Sequence, residues 1–300
     1  MKTKRFIMMM AAGMLMVAMA SCNKEEDSWH ETSPFDANGA SRALFSVSDS
    51  RQVHFSRGNL QYQASTGGWR FALEQYDCCG TDNESIGEDY DGWIDLLAWG
   101  TSGWEGASVA PWVVSEEYSD YWPGGASGNS LTGDCAEADW GVHNAIVNGG
   151  NQPGMWRTLT ADEWTYLLGD NTVRSGKWAS AMIDGLRGIV VLPDNWELPD
   201  GFVYTAGQAR GWETNVYTLE EWSRMEQAGA LFLPAAGMRK GLVCGRFANW
   251  PNATGLYWSS TAADVSAAFG FNFIGSDYIN PGHGVRSWGC SVRLVKDAVK

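Results

Sequence analysis

The chain has 300 residues, of which 35 are acidic and 21 are lysine or arginine, giving a formal net charge of −14. A strongly acidic chain without basic clusters is a poor candidate for binding nucleic acid or anionic lipid surfaces, so we expect no nucleic-acid partner. The 17 tryptophans and 36 glycines favour a core of short strands and many turns, although tryptophan also forms stacking platforms for sugars.

The N-terminus predicts an export signal in residues 1–21. Cationic residues 1–5 precede an apolar run over residues 6–20, which is too short for a convincing membrane-spanning helix. Met19-Ala20-Ser21-Cys22 resembles the bacterial lipobox, which implies removal of the signal and lipidation of Cys22. The alternative is an ordinary signal followed by a coincidental cysteine.

Residues 22–42 predict a lipidated, flexible tether, because they are polar and contain Pro34 and Gly39. The segment Asn23-Lys-Glu-Glu-Asp27 resembles the surface-export signal of lipoproteins in some gut anaerobes, which implies display on the outer leaflet of an outer membrane. Contact with the membrane is then through the lipid anchor only. A merely solvated charged tether is the alternative.

Residues 43–300 are expected to form one domain, which begins with a meander of short strands. Alternating side chains and intervening turn residues predict strands at 43–47, 52–56, 59–63 and 69–72. Residues 77–150 are dominated by loops. Their acidic cluster, residues 88–95, lacks the ligand spacing of a calcium loop, and the five cysteines after Cys22 form no disulfide framework or zinc pattern. We therefore expect no metal or other cofactor.

Two helices are predicted by capping boxes. Thr160 with Glu163, and Thr218 with Glu221, place a hydroxyl at the N-cap and a carboxylate three residues later, so both glutamates are expected to be structural. Apolar runs at 188–193 and 230–234 read as buried strands.

The C-terminal part predicts strands at 255–261, 269–273 and 290–295, joined by a displayed loop over residues 274–290. This loop is rich in turn-forming residues, and Asn280-Pro281-Gly282 fits a tight turn. Alternation places Phe269, Phe271 and Phe273 inward, and Gly270, Asn272 and Ile274 outward beside the loop.

Four motifs carry a family resemblance: Trp156-Arg-Thr-Leu-Thr-Ala-Asp-Glu-Trp164, Leu231-Phe-Leu-Pro-Ala-Ala-Gly237, Tyr257-Trp-Ser-Ser-Thr261 and Ser291-Val-Arg-Leu-Val295. They resemble C-type-lectin-like domains of the formylglycine-generating-enzyme branch. The resemblance implies an α+β, C-type-lectin-like fold with two short helices, small antiparallel sheets and long loops. The branch's closely spaced pair of copper-binding cysteines is missing, which argues against carried-over catalysis, so we expect no enzyme.

A narrower resemblance is to surface lipoproteins whose C-terminal region is varied by a diversity-generating retroelement. It implies a variable binding region at about residues 255–295 that binds a surface protein or a glycan. Aromatic side chains tend to dominate such interfaces, so Tyr278 and Trp288 are the expected anchors. The predicted ligand-binding residues are Asp264, Val265, Ile274, Asp277, Tyr278, His283, Val285, Ser287 and Trp288.

Three alternatives stay open. The chain could be a carbohydrate-binding lipoprotein of fixed specificity, or a degenerate enzyme of the formylglycine branch. At the site itself, Trp288 could pack inward and leave the rest of the segment as an inert connector.

Overall fold

The computed structural model describes residues 33–299, apart from 105–108, 170–175, 208–210, 245–253 and 275–277. For Ile274 and residues 278–280 it describes the backbone alone. The expected signal peptide, Cys22 and most of the expected tether lie outside the described residues. Residues 34–300 form one compact unit.

The folded unit begins earlier than the sequence indicates. Residues 34–42, which the sequence assigns to the tether, contain two buried apolar side chains, Phe35 and Ala40. Phe35 forms a β-bridge with Ser41, and Ala40 forms one with Ser56. Residues 34–42 therefore belong to the compact unit, because apolar side chains in this segment are buried and its backbone bridges to the first strands.

The protein is mixed α+β, as expected. Its α-helices are α1 (Trp140–His143), α2 (Ala161–Leu168) and α3 (Leu219–Gln227). Its strands are β1 (Phe45–Ser46), β2 (Gln52–Phe55), β3 (Leu60–Gln63), β4 (Gly68–Phe71), β5 (Arg157–Thr158), β6 (Trp178–Ile183), β7 (Leu186–Val191), β8 (Val216–Tyr217), β9 (Leu231–Pro234), β10 (Arg239–Lys240), β11 (Val243–Cys244), β12 (Thr254–Ala262), β13 (Ala267–Ile274), β14 (Tyr278–Val285) and β15 (Leu294–Asp297). Short 3₁₀ helices lie at Gly80–Asn83, Tyr118–Tyr121, Pro123–Gly125, Gly133–Ala138 and Gly211–Glu213.

The described strands form several small sheets. One has the order β1-β2-β15-β5, so that the last strand of the chain pairs with the second. Another has the order β8-β6-β7-β9, in which only the short β6–β8 pair is parallel. The third has the order β12-β13-β14, and β3–β4 and β10–β11 form two-stranded hairpins.

Both predicted capping boxes are confirmed. The Thr160 hydroxyl accepts from the Glu163 amide at 3.2 Å, and the Glu163 carboxylate accepts from the Thr160 amide at 2.9 Å. Thr218 and Glu221 make the same reciprocal pair at 3.2 and 2.8 Å. Glu163 also receives a two-point ion pair from Arg157, which supports its expected structural role.

The β12-β13-β14 sheet is packed on both faces. Tyr257, Phe271 and Phe273 belong to one apolar core, which includes Trp164 of α2. Leu256 and Trp258 belong to a second core, which includes tryptophans from the loop-rich part of the chain. The outward orientation predicted for Gly270 is therefore wrong, because a side chain there would enter a packed face, 2.7 Å from the Tyr257 carbonyl oxygen.

The predicted loop over residues 274–290 is also wrong for much of its length. Residues 278–285 form β14, which pairs with the whole of β13, and Asn280-Pro281-Gly282 lies inside the strand instead of forming a tight turn. Proline is tolerated because β14 is an edge strand of this sheet, where an absent N–H breaks no ladder bond. Gly282 and Gly284 permit close contact, because a Cβ would lie 2.3 Å from Asn272 or 2.9 Å from Trp258.

Candidate functional site

Four of the predicted ligand-binding residues lie at one end of the β12-β13-β14 sheet. Asp264 and Val265 are exposed in the turn between β12 and β13. His283 is exposed in β14 and pairs with Phe269, and the half-buried Val285 pairs with Ala267. The structure therefore brings together residues that are separated by about twenty positions in the sequence.

The prediction that Phe269 points into the core is wrong, because Phe269 is 37 % exposed. The register between β12 and β13 shifts between Trp258 and Ala262, so β12 departs from regular pairing opposite this end of β13. Phe271 and Phe273, beyond the irregularity, are fully buried as expected. We call Asp264, Val265, Phe269 and His283 the turn-end surface.

The remaining predicted residues do not all join this surface. Ile274 and Tyr278 pair with each other at the opposite end of β13 and β14. Tyr278 and Val285 lie seven positions apart, which corresponds to roughly 23 Å of extended strand. Asp277 lies outside the described residues. The predicted residues whose backbone is described are consequently spread along the hairpin, and among those with a described side chain Asp264, Val265 and His283 are exposed.

Asp264 carries a fixed negative charge on the turn-end surface. One of its carboxylate oxygens accepts hydrogen bonds from the Ser266 amide at 2.8 Å, the Ser266 hydroxyl at 3.0 Å and the Ala267 amide at 2.8 Å. These bonds, first that from the Ser266 amide and then that from its hydroxyl, lower the pKa of Asp264, and His283 contributes in the same direction. The bonds also hold the turn in one conformation.

Arg286 lies beneath the turn-end surface and is 1 % exposed. Its guanidinium donates to the carbonyl oxygens of Ala267 at 3.1 Å, Asp264 at 2.8 Å and Tyr121 at 3.1 Å, and also to that of Ser127. It also lies 4.6 Å from the centre of the Trp99 ring. Burial lowers the pKa of Arg286 to about 10, so the side chain stays cationic at neutral pH and joins the turn, β14 and the 121–127 loop.

The loop-rich segment supplies further support that the sequence did not suggest. The Trp122 indole N–H donates to the Val265 carbonyl oxygen at 2.7 Å. The Ala262 amide donates to the Ser130 hydroxyl at 3.1 Å, and the Leu131 amide donates to the Ser260 carbonyl oxygen at 2.8 Å. No local pattern around Trp122 predicts a hydrogen bond to Val265, which is distant in the sequence. The one indication was that Trp122 lies in a long loop region within a folded domain, and such regions tend to be functional or packed by their own aromatic side chains.

Ser287 and Trp288 are half-buried in the turn that follows β14. The Trp288 ring packs against the second core, and the Lys240 ammonium lies 3.9 Å from the ring centre. Trp288 is thus partly packed against the core and partly exposed, which is intermediate between the predicted binding anchor and the alternative of an inward-packed residue. Its free area is smaller than that of a fully displayed aromatic anchor.

No family model, no curated protein and no solved structure matches this chain. The chemistry of the site is therefore argued from its own residues.

Four of the described cysteines carry thiols whose ionisation is suppressed by burial. Burial raises the pKa of Cys78, Cys79 and Cys290, and it raises that of Cys244 to about 12. Thiols in this state are poor nucleophiles, because the reactive species is the thiolate. All five cysteines among the described residues are free.

Asp95, the last member of the acidic cluster, faces the interior. It accepts hydrogen bonds from the Cys79 amide and the Asn83 side chain, both at 2.9 Å, and burial raises its pKa. Within residues 33–299, apart from the gaps named above, no group of three or more His, Cys, Asp or Glu side chains is arranged to hold a metal. In the same part of the chain no helix has the length and apolar character needed to cross a membrane.

Proposed function

We propose that this protein is a non-enzymatic, lipid-anchored surface protein of the outer membrane that binds a protein or glycan ligand through its C-terminal hairpin. The observation that carries the proposal is the contrast at the turn-end surface. Asp264, Val265, Phe269 and His283 are exposed, whereas Arg286 directly beneath them is buried and bonded to four carbonyl oxygens.

This contrast suits recognition because exposed side chains can be substituted to suit a ligand while the backbone that carries them keeps one conformation. Val265 and Phe269 supply apolar contact area, and Asp264 and His283 supply polar contacts at its margin. The hydrogen bonds of Arg286 reduce the conformational entropy lost on binding, because they hold the turn in place before a ligand arrives.

We further propose that the fold is C-type-lectin-like, of the formylglycine-generating-enzyme branch, and that the hairpin is the variable region of a diversity-generating retroelement. The long loop segment, the pairing of the last strand with the second strand and the two capped helices support the fold assignment. Substitution of Val265, Phe269 and His283 should leave the scaffold intact, because none of the three packs in the core, whereas Asp264 also holds the turn through its hydrogen bonds. The genomic test is a neighbouring reverse transcriptase gene and a near-repeat of the final coding segment that differs only at template adenines.

Binding is tested with the full-length protein displayed on intact cells and probed with arrays of surface proteins and of glycans. The test variant combines Val265→Ala, Phe269→Ala and His283→Ala. The matched control combines Leu198→Ala, Val203→Ala and Val216→Ala, which are similarly exposed apolar positions elsewhere. We expect the test variant alone to lose binding to any array ligand of the wild type. Equal binding by both variants would contradict the proposal.

The location is tested separately by protease treatment of intact cells. We expect the protein to be degraded while the envelope is intact, and Cys22→Ser to abolish the lipid modification. Protection until the envelope is broken would contradict surface display.

A further inference from the structure

A tryptophan from the loop-rich segment adjoins the turn-end surface. Trp122 is half-buried, and its indole N–H donates to the Val265 carbonyl oxygen at 2.7 Å. Other tryptophans of this segment, such as Trp99 and Trp140, are buried in an apolar core. Trp122 is not among the side chains that form or pack against the three apolar cores of the described residues. Core packing therefore does not account for this tryptophan.

Contacts on both sides of Trp122 hold its loop against the turn. The Arg286 guanidinium donates to the Tyr121 carbonyl oxygen at 3.1 Å and also to that of Ser127. The same guanidinium donates to the Asp264 carbonyl oxygen at 2.8 Å. One buried cation thus joins the loop to the turn, so the Trp122 ring keeps one position beside it. A large aromatic side chain that is ordered before binding loses little entropy when a ligand contacts it.

The Asp264 carboxylate has an oxygen that is available to a ligand. The three hydrogen bonds that it accepts from Ser266 and Ala267 all go to Oδ1. Within the part of the chain that the structure describes, Oδ2 accepts no hydrogen bond, since Arg286 donates to the Asp264 carbonyl oxygen instead. Arg286 and His283 attract this carboxylate and so offset part of its charge. Oδ2 can still accept from a cationic donor.

The negative charge of the chain is concentrated in the segment that carries Trp122. Residues 71–156 contain 15 Asp or Glu and no Lys or Arg, whereas the whole chain has a formal net charge of −14. Glu116 and Glu117 of this segment are exposed and lie shortly before Trp122. Complementary potentials steer association and exclude partners of like charge. The charge distribution therefore favours a partner that presents Lys or Arg.

The side chains beside the turn suit such a partner. An arginine or lysine side chain can place its charge over the exposed part of the Trp122 ring, a contact that is strongest for tryptophan, and can donate to Asp264 Oδ2. Val265, which is 54 % exposed, offers apolar area to a neighbouring side chain of the same partner. A neutral glycan could stack on the ring, but it would leave the charge of Asp264 and of the loop segment without a counterpart.

We infer that the turn-end surface, extended by Trp122, binds a basic segment of a partner protein, with Trp122 and Asp264 contacting one of its Arg or Lys side chains. The inference rests on the proposed function, because it names the partner of the same hairpin surface. Trp122 lies outside the region that is proposed to vary, so it supplies a constant contact beside variable ones.

The test uses the full-length protein in detergent and an array of short peptides that combine apolar residues with Arg and Lys. Matched arrays carry Gln or Glu at the Arg and Lys positions, and a glycan array includes neutral and cationic sugars. The affinity of each captured peptide is measured by fluorescence anisotropy at about 50 and 300 mM salt. We expect binding by the Arg and Lys peptides alone, and tighter binding at the lower salt concentration.

Trp122→Ala should weaken the binding of these peptides about tenfold or more, as the loss of an aromatic hot spot does. Trp122→Phe keeps a ring but removes the hydrogen bond to Val265, so its affinity should fall between that of Trp122→Ala and that of the wild type. Asp264→Asn keeps an acceptor at the turn and removes the charge, so it should weaken binding about threefold and reduce its salt dependence. The matched control is Trp93→Ala, because Trp93 is a half-buried tryptophan of the same segment that stacks on Arg70, and it should leave the affinity unchanged.

Near-ultraviolet circular dichroism checks that each variant is folded, and Asp264→Asn tests the inference if Trp122→Ala does not fold. The inference is overturned if no Arg or Lys peptide binds, if the Gln or Glu peptides bind as tightly, or if Trp122→Ala weakens binding no more than Trp93→Ala does. Glycan binding that is lost in the hairpin triple variant, without peptide binding, would overturn the basic partner and leave the proposed function intact. Peptide binding that needs Trp122 but is unchanged in the triple variant would contradict the proposed function, on which the inference rests.

Discussion

Replacing Arg286 with methionine should destabilise the protein by removing the side chain that holds the turn-end surface in place. Methionine retains much of the apolar stem but leaves the carbonyl oxygens of Ala267, Asp264, Tyr121 and Ser127 without their donor. Hydrogen bonds to a charged group contribute about 1.5–3 kcal/mol each when taken singly. Each buried carbonyl oxygen left without a donor costs about 1–3 kcal/mol, and the individual values do not add. We therefore expect Arg286→Met to lower the free energy of unfolding by about 4 kcal/mol.

The matched control is Arg224→Met. Arg224 is exposed, donates to the Asp200 carbonyl oxygen at 3.0 Å and lies 4.7 Å from the centre of the Phe202 ring. An exposed contact of this kind contributes about 0.5–1 kcal/mol. Arg286→Lys should fall between the two variants, since it keeps the charge but not the planar, forked donor geometry.

Urea denaturation of the three variants and the wild type measures these differences. Hydrogen exchange adds a local readout, because the amides of Ser266 and Ala267 should exchange faster in Arg286→Met even where the protein is folded. A loss in Arg286→Met no larger than that in Arg224→Met would refute the reasoning. It would mean that the four carbonyl contacts are not what holds the turn.

Three further predictions concern other parts of the structure. Thr160→Ala should cost about 1 kcal/mol in urea denaturation through loss of the N-cap of α2; a cost equal to zero would contradict the cap. Trp288→Ala should cost about 1–3 kcal/mol, because the ring packs on the second core, whereas His283→Ala should stay within about 0.5 kcal/mol of the wild type. Burial raises the pKa of Glu226 from 4.5 to about 7. The folded state therefore binds the proton more tightly, and this contribution to stability, present below pH 4.5, is lost as the pH rises through 7. Glu226→Gln should gain stability relative to the wild type between pH 5 and 8, and a constant difference would contradict the shift.

Much of the local structure could be predicted from the sequence. The capping boxes at Thr160 and Thr218 are determined by residues three positions apart, so no distant contact is needed to recognise them. The burial of Phe271 and Phe273 follows from alternation along one strand. The mixed α+β class follows from the succession of such segments.

The candidate site was less predictable. The exposure of Asp264, Val265 and His283 agrees with their predicted placement at a surface, but Phe269 was expected inward and is 37 % exposed, at the end of β13 where pairing with β12 is irregular. Trp122 was missed, because its partner at Val265 is far away in the chain and no local pattern records the contact.

The sequence by itself determined the features whose causes are local, namely the helix caps, the burial of Phe271 and Phe273 in β13, and the acidic, tryptophan-rich character of the chain. The tertiary structure alone decided that residues 278–285 are a strand, because their Pro- and Gly-rich composition has little strand propensity and β13 supplies the pairing partner. It also decided that Arg286, in what reads locally as a loop, is buried. The reason is physical: its four acceptors come from segments that only the folded chain brings within hydrogen-bond distance.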